Sequence, residues 1–229
     1  MDTAKGAGRV VGVMLLVQMT AAFLVNQFLL GPVFAPPGFM ANAAADPMKI
    51  RLAVLIGLGT GVLTAAIAIA ASPVFRRHSP AMTLWFLVLA AANFALTAVE
   101  NMNVMSLLSL SQAYAKAGAA DPALFEALRG VVGSARNWAH YINLTVSGGM
   151  LLVLYGVLCR FALVPRALAG FGLGAVLLQI TAVTMPLLGH PITFALLMPL
   201  ALSHLTLSVW LMVKGFTERP APALPGEKS

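Results

Sequence analysis

Two stripes of polar side chains interrupt an otherwise oily chain. Asn93, Thr97, Glu100 and Asn101 stand at offsets of four, seven and eight, so a helix would stack them on one face. Arg136, His140, Asn143 and Ser147 stand at offsets of four, seven and eleven and form a second stripe. A carboxylate meeting a guanidinium, an imidazole and several amides can do two things. It can clamp two helices together through an ion pair, or it can bind a proton or a small polar ligand. His204, in "LALSHLTLSVW" with Ser203 and Ser208 nearby, has the same two readings: a neutral imidazole bonded to a neighbouring helix, or a titrating, ligand-binding group.

The helices that carry these residues follow from composition. The chain has 229 residues, 60% of them hydrophobic and 9% charged, with mean hydropathy +0.91. Soluble domains carry about a quarter charged residues, so a soluble fold is excluded. Six apolar runs, at 10–30, 50–71, 81–103 (extending toward Gln112), 138–158, 167–188 and 192–213, each approach the length that crosses a bilayer core. Pro80, Pro165 and Pro191 stand before helix starts, where a missing N–H does no harm. The expectation is an all-α integral membrane bundle of six transmembrane helices in a single domain, 1–216. A polar, Pro-rich tail, 217–229, is expected to be disordered. The first run also has the basic start of a signal peptide, and "ANA" at 41–43 mimics a cleavage site. Its apolar run of about 20 residues is longer than a signal core.

Lysines and arginines give the orientation. With the N-terminus inside, nine of the 14 fall on inner segments and five on outer ones, so both termini are expected in the cytoplasm, in a bacterial inner membrane. Trp85 and Trp210 then lie near the inner boundary and Trp138 near the outer one, as an aromatic belt requires. The net charge of +7 comes without a basic run or basic–aromatic interleaving, which argues against nucleic acid as a partner.

Height along the helices decides which groups can meet. Glu100 lies roughly 30 Å above Pro80 at 1.5 Å per residue, level with the start of the fourth helix, within reach of Arg136 or His140. His204 lies about 15 Å from the inner boundary, near the midplane. His140 and His204 thus differ in height by roughly 10–15 Å, too far for two axial ligands of one haem. No zinc spacing, phosphate loop or nucleophile–base set is found, so no metal, cofactor or catalytic residue is expected. The single cysteine, Cys159, permits no intrachain disulfide and reads as a small buried residue.

Other features read as packing. Gln18 and Asn26 can share a face as helix glue, and the pairs Gly57 with Gly61 and Gly170 with Gly174 suit close helix contact. Pro199 and Pro186 stand where they can kink the sixth and fifth helices. The loop 31–49 brings Phe34, Phe39 and Met40 to the bilayer surface or over a cavity. Residues 118–138 read as a separate amphipathic connector helix, capped by Asp121 and begun by Pro122, with Leu124, Leu128 and Val131 on one face. Gly-Leu-Gly six residues after Arg51 and again after Arg166 fits a three-plus-three inverted repeat, or chance in a chain this rich in Leu, Ala and Gly.

Four segments together resemble a bacterial membrane family catalogued as domain of unknown function 4386: "ANAAADPMKIRLAVLIGLGTGVLTAAIAIA", "FLVLAAANFALTAVENMNVMSLLSL", "VPRALAGFGLGAVLLQITAV" and the closing "LSVWLMVKGF". The resemblance implies a six-helix membrane protein without an established activity. Members often carry a Glu before the closing signature; here His204 stands there, so a carboxylate role does not carry over. The readings of function are therefore a non-catalytic scaffold or sensor subunit, with a membrane-protein partner or a second copy, and a small-solute or proton-coupled transporter. The second places a polar cavity between the third, fourth and sixth helices. An enzyme ranks below both.

Overall fold

The computed structural model describes residues 3–36, 38–118 and 121–217. All regular secondary structure among them is helical, and six helices are long and apolar enough to cross a membrane: Thr3–Phe34, Pro47–His78, Pro80–Ala117, Pro122–Arg160, Arg166–Leu188 and Phe194–Lys214. They are called the first to sixth helix below. Their outward side chains, among them Leu55, Ile69, Leu84 and Trp85, are exposed. Water would penalise such a surface; acyl chains do not. The chain is a helical membrane protein. Its polar tail lies outside the described residues from 218 onward.

Three helices begin with the same local device. Asp46, Ser79 and Asp121 each accept a hydrogen bond from the backbone N–H three residues on, with Pro47, Pro80 and Pro122 as the first helical residue. The cap satisfies one orphan donor, and proline removes another. The third helix ends at Gly118, whose φ of 58° is a left-handed conformation that glycine adopts without steric cost.

The helices pack in a ring. Each contacts its chain neighbour, and the sixth closes onto the first. Closure needs small residues. A side chain on Gly12 would press on Ser208 and Met212, and one on Gly8 on Gly215 and Phe216. The ends of the first and sixth helices share one face of the molecule, the terminal side, where Arg9 donates to the Val213 carbonyl at 3.4 Å and Thr217 N–H donates to Leu163 O at 2.8 Å. The terminal half is solid. Phe75 packs at a tilt against Phe86 and Phe216 with ring centroids 5.6 and 5.8 Å apart, and Tyr155, Leu158, Leu163, Leu207 and Leu211 are fully buried around them.

Several expectations change. The connector at 118–138 is not a separate helix: its cap is correct, but the helix it starts runs unbroken through Trp138 to Arg160. Nothing at Gly130 or Gly133 stops it, and Leu124, Leu128 and Val131 face outward, exposed. The third helix likewise continues past Gln112 to Ala117. At 38 and 39 residues, these two helices are roughly 57–58 Å long. A bilayer with its headgroups is about 40–45 Å thick, so the hairpin projects beyond it on the far side. Pro199 does not kink the sixth helix; it lies in the first turn of the α-helix, just after a 3₁₀ turn at Phe194–Leu197. Pro186 is the second residue of the 3₁₀ turn Met185–Leu188 that ends the fifth.

The first helix is longer than its apolar run and irregular. Val25–Leu30 is a wide π-type stretch, in which Gly31 N–H donates to the Asn26 carbonyl five residues back. A Cβ at Gly31 would crowd that same oxygen, at 2.8 Å. Phe34, the last residue of the first helix, is exposed, and Phe39 in the segment beyond is buried. The short helix Phe39–Ala45 packs with Val33 on Ile50, Val104, Leu107 and Leu108. Ser111 donates to the Met40 carbonyl, and Asn42 to the Ala35 carbonyl at 2.7 Å, which holds the loop down.

Candidate functional site

The two stripes meet. Glu100 Oε1 accepts from Arg136 at 3.3 Å and from His140 Nδ1 at 2.9 Å, and Oε2 accepts from Asn143 at 3.3 Å. Asn143 also donates to Thr97 Oγ1 at 3.2 Å and accepts from Asn93 at 2.7 Å. The result is one network across the third and fourth helices. Of the expected partners for Glu100, the structure brings both. The side chains of Glu100 and Arg136 are 16% and 20% exposed and that of His140 is 36%, so the cluster is neither sealed nor on the surface.

The network forms part of the wall of a cavity of about 390 Å³ that extends to His204. This volume is in the range of small-molecule sites, roughly 300–1,000 Å³. Asn93, Thr97, Glu100, Asn101, Arg136, His140, Asn143 and Ser147 all line it. Its walls differ from the expectation, however. The sixth helix supplies His204, while the first two helices supply a large share: Gln18, Met19, Ala22 and Asn26 from the first, and Gly57, Thr60, Gly61 and Thr64 from the second. Gln18 and Asn26 do line a ligand-sized space, and Gln18 is also glue, donating to Thr64 Oγ1 at 2.6 Å and to Thr60 O at 3.1 Å.

His204 joins the chamber at its deep end. Tyr155 OH lies 3.3 Å from His204 Nδ1 and accepts from Ser203 Oγ at 2.8 Å. Ser208 donates to the His204 carbonyl at 2.7 Å. Tyr155 carries no signal in the sequence, because one tyrosine in a leucine-rich helix reads as core. Thr60 and Thr64 do carry one: with Gly57 and Gly61 they make a small, polar stripe at offsets of three, four and seven.

The glycine pairs divide. Gly57 and Gly61 sit against Asn101 and against Phe94 and Thr97 of the third helix, with space for no more than hydrogen. Gly170 and Gly174 touch nothing; the close approach in the fifth helix is at Gly172, where Tyr155 fills the space a side chain would need. The two Gly-Leu-Gly segments therefore pack on the third and the fourth helix respectively. Gln179, in the fifth helix, is buried with its Oε1 unpartnered and does not line the chamber. Among the described residues no three His, Cys, Asp or Glu gather as metal ligands.

A family model described as Domain of unknown function (DUF4386) matches residues 10–215. No curated protein and no solved structure matches the chain.

Proposed function

The chain belongs to the DUF4386 family, and from that premise we propose that it is a small-solute-binding membrane protein of the carrier type. The observation that carries this reading is the single cavity that includes both Glu100 and His204. A bundle held by polar glue alone would have a dry centre. Here amides, hydroxyls and imidazoles from several helices converge on a space large enough for a ligand. The Glu100 network then also holds the third and fourth helices in register, so the groups facing the chamber stay where the ligand needs them. The excess of Lys and Arg at the terminal side supports termini in the cytoplasm and a bacterial inner membrane.

A scaffold or sensor subunit, working through a membrane partner or a second copy, is the second reading. It is favoured by Glu100, whose two oxygens already take three donors from the fourth helix. Water access separates the two. Ser147→Cys, in a Cys159→Ala background, is expected to react with a small, polar, uncharged thiol reagent in sealed vesicles, and Leu152→Cys on the lipid face is not. Protection of the cysteine at 147 from reagent on both sides of the membrane would sink the carrier reading.

A further inference from the structure

Resting on that reading, we propose that the chamber takes a small amphiphile with an uncharged, hydrogen-donating head, such as an alcohol or a primary amide, and a short apolar tail. The charge balance comes first. The fixed charges on the chamber wall are the Glu100 carboxylate and the Arg136 guanidinium, which pair with each other; the other titratable lining groups are His140 and His204. A ligand of net charge would enter with no fixed charge left to compensate it, at high desolvation cost.

The open hydrogen-bonding positions come second. Gln18 and Asn93 use their amide nitrogens on Thr64, Thr60 and Asn143. Among the described residues, their amide oxygens have no partner, and neither does the Ser147 hydroxyl. Unpartnered acceptors beside a cavity suit a ligand O–H or N–H. Depth comes third. Below Asn93 the wall is Leu15, Ile67, Phe86, Met150, Leu151 and Leu154. The seven residues from Asn93 to Phe86 give about 10 Å of apolar shaft, with His204 the polar exception. A wholly polar solute would leave that shaft empty.

The test is calorimetric titration of the full chain in lipid nanodiscs, with empty discs subtracted, using octanol, octanamide, octanoate and octylammonium. Octanol and octanamide are expected to bind saturably, and the two charged probes about tenfold more weakly or worse. Met150→Trp, which fills the shaft, is expected to abolish octanol binding, and Leu152→Trp on the lipid face to retain it. Leu151→Phe replaces the first variant if its circular dichroism melt shows a misfolded chain. Charged probes that bind as tightly as octanol, or octanol binding untouched by both shaft-filling variants, overturn the proposal. Failure of octanol and octanamide while Ser147→Cys reacts with the thiol reagent overturns the amphiphile but keeps the solute chamber. Failure of both experiments overturns the chamber as well. Mass spectrometry of an organic extract separates the sources. An amphiphile carried by wild type and lost from Met150→Trp marks supply from the membrane, and octanol binding with a clean extract marks supply from water; either supports the proposal.

Discussion

The terminal and far halves of the ring use the same six helices for opposite ends. Toward the terminal side, Phe75, Phe216, Tyr155 and Leu158 close the centre to solid packing. Toward the far side, Gln18, Thr64, Asn93, Glu100 and Asn143 leave it open. The two halves are held by different kinds of energy. Lipid tails are as apolar as leucine, so burial from water does not hold such helices together; close contact and hydrogen bonds do. The solid half supplies contact. The hollow half gives contact up and replaces it with a polar network, which has donors and acceptors to spare for something else.

Each half should respond differently to substitution. The largest effect is expected from Phe75→Ala, which empties the centre of the solid half and should cost about 3 kcal/mol or more of stability, read from reversible unfolding in mixed micelles. A loss under about 1 kcal/mol would mean that the terminal half is not where the fold is held. Glu100→Gln comes next. It neutralises the carboxylate to which Arg136, His140 and Asn143 donate and turns one of its two acceptor oxygens into a donor, and should cost about 2 kcal/mol, read in the same way. A double-mutant cycle of Glu100→Gln with Arg136→Gln should give a coupling of about 1 kcal/mol. A coupling near zero would assign the network's strength to His140 and Asn143. The smallest effect belongs to Ser147→Ala, within about 0.5 kcal/mol, because its hydroxyl bonds to nothing among the described residues. A large loss there would show that the hollow half is structural after all.

Both polar stripes are legible in the sequence because helical periodicity and height suffice to bring Glu100 opposite Arg136 and His140. The six helices are legible for the same reason that membrane topology in general is: an apolar run must satisfy its backbone internally. What escapes is information held between elements. Gln18 reads as glue because a lone amide in a helix does not reveal whether its neighbour is a helix or a space. Gly170 and Gly174 draw the eye away from Gly172 because spacing does not fix which face of the fifth helix meets the fourth. The start at Asp121 and Pro122 is clear, but the merger with the fourth span is not. A helix leaving the membrane changes composition without changing conformation, and hydropathy records only the first.

The wide stretch at Val25–Leu30 has a consequence for how the first helix can move. It is a dislocation, in the sense used for crystals: one residue too many in an otherwise regular lattice. Residues on its two sides are out of phase with a straight helix, so Gln18 and Ala22 face the chamber in one phase while Val33 anchors the loop in another. A dislocation can glide one residue at a time without melting the lattice around it. Each step turns the intervening side chains by about 100° and leaves both ends in place. Deleting one residue from the stretch anneals the defect. It is then expected either to withdraw Gln18 from Thr64 or to pull Val33 off its cluster, and disulfide trapping between positions 18 and 64 and between 33 and 108 would tell which end yields.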